Sequence, residues 1–159
     1  MNKLEDPERL KALDALNILG SLEEKEYDSI TKLAAAICET PVALVSLVAC
    51  KQQFFKSRHG LEEKETSIDV SFCKFAIEEE ESIFIIEDTR EDIRFKNNPL
   101  VTGEPFIVFY TGSPLVMNNG LVLGTLCVID KKPRQLNQLQ IEALQTLAKQ
   151  VVQLLELRK

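Results

Sequence analysis

Ser113-Pro114-Leu115-Val116-Met117, then Asn118-Asn119-Gly120, then Leu121-Val122-Leu123-Gly124-Thr125-Leu126-Cys127-Val128-Ile129-Asp130: the reading of this stretch decides the fold. Two apolar runs flank an Asn-Gly step. Asn and Gly both tolerate positive φ, so the step predicts a tight hairpin. The second run, Leu121 to Ile129, is apolar almost without alternation. Such a strand is covered on both faces and belongs in the middle of a sheet.

The first arm of the hairpin reads as Phe106 to Val116, with Gly112 and Pro114 expected to bend or bulge it. Further upstream, Val42 to Val48 predicts a buried strand and Gln53 to Arg58 a more exposed one. The short turn at Cys50-Lys51-Gln52 makes that pair antiparallel. His59 to Asp69 reads as a polar loop, and Asp69 or Ser71 as the cap of a short helix from Phe72 to about Glu79. The charge run Glu78 to Glu81 is its solvated end. Ile83 to Ile86 is another strand, Asp88-Thr89-Arg90-Glu91 caps a helical turn, and Phe95 to Pro105 is a long loop.

Helices close both ends. Asp6-Pro7 opens the first one, within residues 1–20, and Gly20 stops it. Ser21 and Glu24 have the spacing of a capping box for a second helix, which Thr40-Pro41 ends. The last helix runs from about Leu136 to residue 159. Its apolar side chains spread over roughly 220° of arc, where a surface helix needs a stripe little wider than about 100°. Ile141, Leu144, Ala148, Val151 and Leu155 form one seam; Ala143, Leu147, Leu154 and Leu157 form a second. The second seam calls for the N-terminal helix of the same chain or for a partner chain. The class is α+β in a single domain, 1–159. It has a central antiparallel sheet of five to six strands, terminal helices on one face, and short helices with a long loop on the other.

The chain has 159 residues and a net charge of -6. An acidic chain is a poor partner for nucleic acid or anionic membrane, which reward clustered Lys and Arg. The longest apolar run, Val42 to Cys50, is far short of the ~20 residues a bilayer requires. The start, Met1 to Pro7, has no apolar signal region, so the expected location is cytoplasmic. Cys38, Cys50, Cys73 and Cys127 are too far apart for a Cys-x-x-Cys motif and read as free thiols. With His59 the only histidine, two-histidine zinc sites are excluded. No metal and no cofactor is assigned.

Several segments together carry a family resemblance: Arg9-Leu10-Lys11-Ala12-Leu13, Ala43 to Val48, Phe54-Phe55-Lys56-Ser57, Ser71-Phe72-Cys73, Asp92-Ile93-Arg94-Phe95, Asn98 to Gly103, and Gly124 to Asp130. In this order they resemble a GAF domain, the small-molecule sensing module of signalling proteins. More narrowly, they are similar to the N-terminal GAF modules of bacterial histidine kinases and diguanylate cyclases. The resemblance implies a ligand cavity between the sheet and the helix-loop side, and a homodimer through the terminal helices. It implies a kinase or cyclase as effector, since such modules usually continue into one. This chain departs from the subgroup at Phe75, where a histidine is usual.

The expected ligand-binding residues are Phe72, Cys73, Arg94, Phe95, Asn98, Phe109 and Tyr110. Cys73 falls in the first turn of the short helix, where backbone donors favour a thiolate; the alternative is a small packed residue. Arg94 would hold a carboxylate or phosphate, or else pair with a loop acid. The aromatics would wall a pocket or belong to plain core. Asn98 and Thr102 would bond a ligand or their own backbone. No Gly-rich phosphate loop, Ser-His-Asp set or Cys-His pair can be assembled, so the leading reading is a non-enzymatic sensor. The alternatives are a pure dimerisation module with a collapsed cavity, a thiol-based methionine sulfoxide reductase using Cys73, and a bilin photoreceptor.

Overall fold

A computed structural model describes residues 3–67, 71–79 and 83–158. The hairpin forms as its sequence requires. The Met117 N–H donates to the Leu121 carbonyl at 2.8 Å, and Gly120 sits at φ 88°, where a side chain would be strained. The turn joins β5 (Phe109–Val116) to β6 (Val122–Asp130). β6 is buried along its whole length. It pairs with β5 on one side and β1 (Val42–Val48) on the other. With β2 (Gln52–His59), β3 (Glu65–Ser67) and β4 (Phe84–Ile86), the sheet is antiparallel in the order β3-β2-β1-β6-β5-β4.

Two local expectations are corrected and a third is refined. Gly112 and Pro114 do not bulge; they stay in register opposite Cys127 and Thr125. The irregularity lies further on, where Leu115 pairs with Gly124 and Val116 with Val122, so Leu123 is the extra residue. That bulge lets Leu123 and Leu126 share one core. β2 is the more exposed strand only at its ends, since Gln53 to Ser57 are all buried. β3 lies in the stretch read as loop, and a three-residue edge strand is too short to show alternation.

α1 (Pro7–Ala15), α2 (Lys25–Cys38) and α5 (Gln138–Leu157) serve one face. Leu13, Ala34, Ala35, Leu144, Ala148 and Val151 pack there with Val45, Leu115, Leu126 and Val128. Asp6 caps α1 as expected, its side chain accepting from the Glu8 N–H at 3.0 Å. The Ser21–Glu24 capping box does not form, because both residues serve the buried Lys56 instead. Its ammonium donates to Ser21 Oγ at 2.9 Å and meets Glu24 Oε2 at 2.5 Å, and Glu24 also holds Arg158 at 2.7 Å. A buried ammonium needs a counter-charge more than an exposed helix end needs a cap. α5 carries a capping box of its own, Asn137 with Gln140.

Leu144, Ala148, Val151 and Leu155 of the first α5 seam are buried; Ile141, Ala143, Leu147 and Leu154 are half-buried, and Leu157 is 81% exposed. α5 rests on α2 and β5. The opposite face of the sheet carries α3 (Cys73–Ala76), the 3-10 turn Ile77–Glu79 and α4 (Pro99–Thr102). Phe72, Phe84, Phe95 and Ile77 form the second core there. Ser71 Oγ accepts from the Lys74 N–H at 3.3 Å; the alternative cap, Asp69, and residues 80–81 of the charge run lie outside the described residues.

Candidate functional site

Side chains alternate along β1 and β6, so neighbours look to opposite faces. Leu44, Cys127 and Ile129 face α3, while Val45, Leu126 and Val128 face the long helices. Short elements cover the α3 side, and they leave a cavity of about 410 Å³. That is within the usual range for a small-molecule site. Leu44, Phe55, Leu61, Phe72, Ile107 and Ile129 supply apolar walls. Gln53, Thr66, Cys73 and Tyr110 supply polar atoms, and Glu63, Glu104, Asp130 and Lys131 stand among the lining residues too.

The polar atoms form two linked clusters. In one, Gln53 Oε1 accepts from Ser46 Oγ at 3.0 Å and from Ser71 Oγ at 2.7 Å, while Gln53 Nε2 donates to Thr66 Oγ1 at 2.6 Å. In the other, Thr125 Oγ1 donates to Cys73 Sγ at 3.2 Å, and the Tyr110 hydroxyl lies 3.1 Å from the same sulfur. Burial is the largest influence on the Cys73 thiol and pushes it up. Hydrogen bonds with Cys127, Ser46, Thr125 and Tyr110 together outweigh it and bring the thiol down to about 6. Cys127 is pushed well up, first by its hydrogen bond to Cys73 and then by burial. Tyr110 is pushed up by burial, then by the Cys73 charge. The thiolate-favouring groups are therefore side chains across the sheet, rather than the end of a four-residue helix.

The structure brings together Phe72, Cys73 and Tyr110 of the expected residues. The other four stand elsewhere. Phe109 points into the helix-side core, one residue out of phase with Tyr110. Phe95 is buried behind the wall, stacked on Phe72 with ring centroids 4.5 Å apart. Arg94 is exposed, doubly bonded to Asp92 at 3.0 and 2.8 Å, and lies over the Phe84 and Phe95 rings. Asn98 caps α4, accepting from the Leu100 N–H at 2.8 Å. Gln53 and Thr66 were not foreseen. The available signal was Ser46, the one polar residue inside an apolar strand, which requires a buried polar partner. Among the described residues, no group of three His, Cys, Asp or Glu could hold a metal ion.

An antiparallel sheet backed by long helices on one face, with a small hollow on the other, defines an α+β class of fold. The chain belongs to the GAF domain family, whose profile matches residues 23–155. A cyclic di-GMP phosphodiesterase of Pseudomonas aeruginosa is 39% identical over 122 residues, 77% of this chain and 21% of that protein. This chain thus spans about a fifth of that relative's length.

Solved structures share the fold. A domain of a two-component sensor histidine kinase protein from Sinorhizobium meliloti superposes with a TM-score of 0.66 at 18% identity, covering 87% of this chain and 93% of that one. The GAF domain of an Acinetobacter phosphoenolpyruvate-protein phosphotransferase gives 0.66 at 20% identity, covering 94% and 91%. The blue-light absorbing PixJ GAF domain of Thermosynechococcus elongatus gives 0.65 at 13%, covering 96% and 89%. The chain is therefore a GAF domain in sequence and in fold. Among the described residues, no helix is long and apolar enough to cross a membrane.

Proposed function

We propose that this chain is a non-catalytic, ligand-sensing module that regulates a signalling protein. The observation that carries the reading is the hollow of about 410 Å³, walled by apolar side chains over a hydrogen-bonded floor. A hollow of that size counts against the alternative of a collapsed cavity. β1 and β6 line it on one face and pack against the long-helix core on the other. A ligand that binds two arrangements of those strands with different affinity shifts the helices between them. The output is a homodimer through the terminal helices: Leu139 at 75% and Leu157 at 81% exposure give α5 apolar side chains for a second copy. The phosphodiesterase relative supports an effector that handles cyclic di-GMP, and the histidine-kinase neighbour a kinase.

A thermal-shift panel of nucleotides, amino acids and tetrapyrroles tests the sensing role. A ligand at 100 times its Kd stabilises by about 2.7 kcal/mol, and no shift with any member would refute the reading. Sedimentation tests the dimer, which Leu157→Glu should dissociate. A second reading, thiol-based reduction of methionine sulfoxide, is favoured only by the Cys73–Cys127 contact. Turnover that disappears in Cys73→Ser would establish it.

A further inference from the structure

We propose that the cavity takes an electrically neutral, mainly apolar ligand that presents one hydrogen-bond acceptor to Gln53 and Thr66, and that it rejects anions, cyclic nucleotides included. This rests on the sensing role proposed above and narrows its ligand.

The charges around the hollow argue first. Among the described residues, Glu63, Glu104 and Asp130 line it against one cation, Lys131. Lys131 is drawn to Glu104, 3.7 Å away, and Asp130 is bonded to Arg134. Arg94, the guanidinium that the sequence offers for an anion, lies outside the lining and is forked onto Asp92. A phosphate or carboxylate entering here would leave water, meet no guanidinium, and pass an excess of acids.

The floor argues second. Gln53 Oε1 accepts from both Ser46 and Ser71, so its two lone pairs are occupied. Gln53 Nε2 directs one N–H to Thr66 Oγ1 at 2.6 Å. That leaves the second Gln53 N–H and the Thr66 hydroxyl proton without an acceptor among the described residues. Both residues line the cavity. Two donors side by side suit a carbonyl, ether or ring nitrogen and repel an ammonium. The apolar walls suit the remainder of the molecule.

The chain contains no tryptophan, so indole fluorescence reports binding without protein background. Indole-3-acetamide, tryptamine and indole-3-acetate share a ring and differ in charge. The amide should bind most tightly and indole-3-acetate at least ~10-fold more weakly, a difference of about 1.4 kcal/mol. Amide NMR shifts should concentrate at Leu44, Gln53, Thr66 and Ile107. Thr66→Val keeps the shape and removes one donor, and should weaken indole-3-acetamide about 3- to 10-fold. Equal or tighter binding of indole-3-acetate would overturn the ligand class while leaving the sensing role intact. Displacement of the amide by cyclic GMP would do the same. An unchanged affinity in Thr66→Val, or no probe moving the cavity resonances, would also overturn the class. The sensing role itself falls on the separate thermal-shift panel.

Discussion

On the helix side of the sheet, Val45, Leu115, Leu126 and Val128 meet Ala34, Leu144 and Val151, and none of these exposes more than 1% of its surface. On the other side, residues of the same central strands are Leu44, Cys127 and Ile129, and the space above them is a hollow of about 410 Å³. The strands are common to both faces; the covers are not. α2 has 14 residues and α5 has 20, long enough for a continuous apolar stripe to interlock with the sheet. α3 and α4 have four residues each and cannot cover it. A binding site arises where the cover is too short to fill the space.

The largest effect is expected where both faces are broken together. A Cβ on Gly124 would lie 1.9 Å from the Ser46 carbonyl oxygen and 2.9 Å from Leu47 Cα. Neither backbone atom can yield, so Gly124→Ala separates β1 from β6 and should remove at least about 4 kcal/mol of stability in urea unfolding. The next test sets one face against the other. Leu126→Ala in the filled core should cost about 3–4 kcal/mol and Ile129→Ala on the cavity wall about 2 kcal/mol, since Ile129 already lacks neighbours on one side. Equal losses would show that the faces do not differ.

A smaller effect concerns the ion pairs at the edge of the helix side. Glu24 titrates below its ordinary 4.5, first because of its hydrogen bond to Lys56 and then because of Lys56 and Arg158 charge. The unfolded chain therefore binds the proton more readily than the folded one. This contribution is complete above about pH 4.5 and is lost as pH falls through the lower folded value. In acid titrations of stability, Glu24→Gln should flatten that fall. The smallest change in stability accompanies the sharpest contrast between thiols. Cys38, under the helices, is pushed up to about 11 by burial, whereas Cys73 comes down to about 6. Iodoacetamide followed by mass spectrometry should label Cys73 at neutral pH and leave Cys38 unmodified. The reverse order would remove the distinction.

The fold was legible wherever the signal lay between near neighbours. The Asn118-Asn119-Gly120 turn, the unbroken apolar run after it, the Asp6-Pro7 cap and the bounds of β1 all follow from side chains a few residues apart. The site was legible in part. Phe72, Cys73 and Tyr110 line the hollow, whereas Phe109 takes the alternative of plain core, because its phase depends on pairing with Asp130 across the sheet. Arg94 and Asn98 satisfy local partners two residues away and so do not enter the hollow.

Sequence alone determined that Leu121 to Ile129 would lie in the middle of a sheet and that helices would close the two ends. Those outcomes depend on hydrophobic pattern and local backbone preference, which any short window contains. Only the tertiary structure decided that Lys56 would be buried against Glu24, that Ser46, Gln53, Ser71 and Thr66 would meet at one floor, and that a hollow would remain beside them. These depend on residues far apart in the chain approaching within a hydrogen-bond length. They depend equally on space that no residue occupies, and empty volume leaves no mark on a sequence.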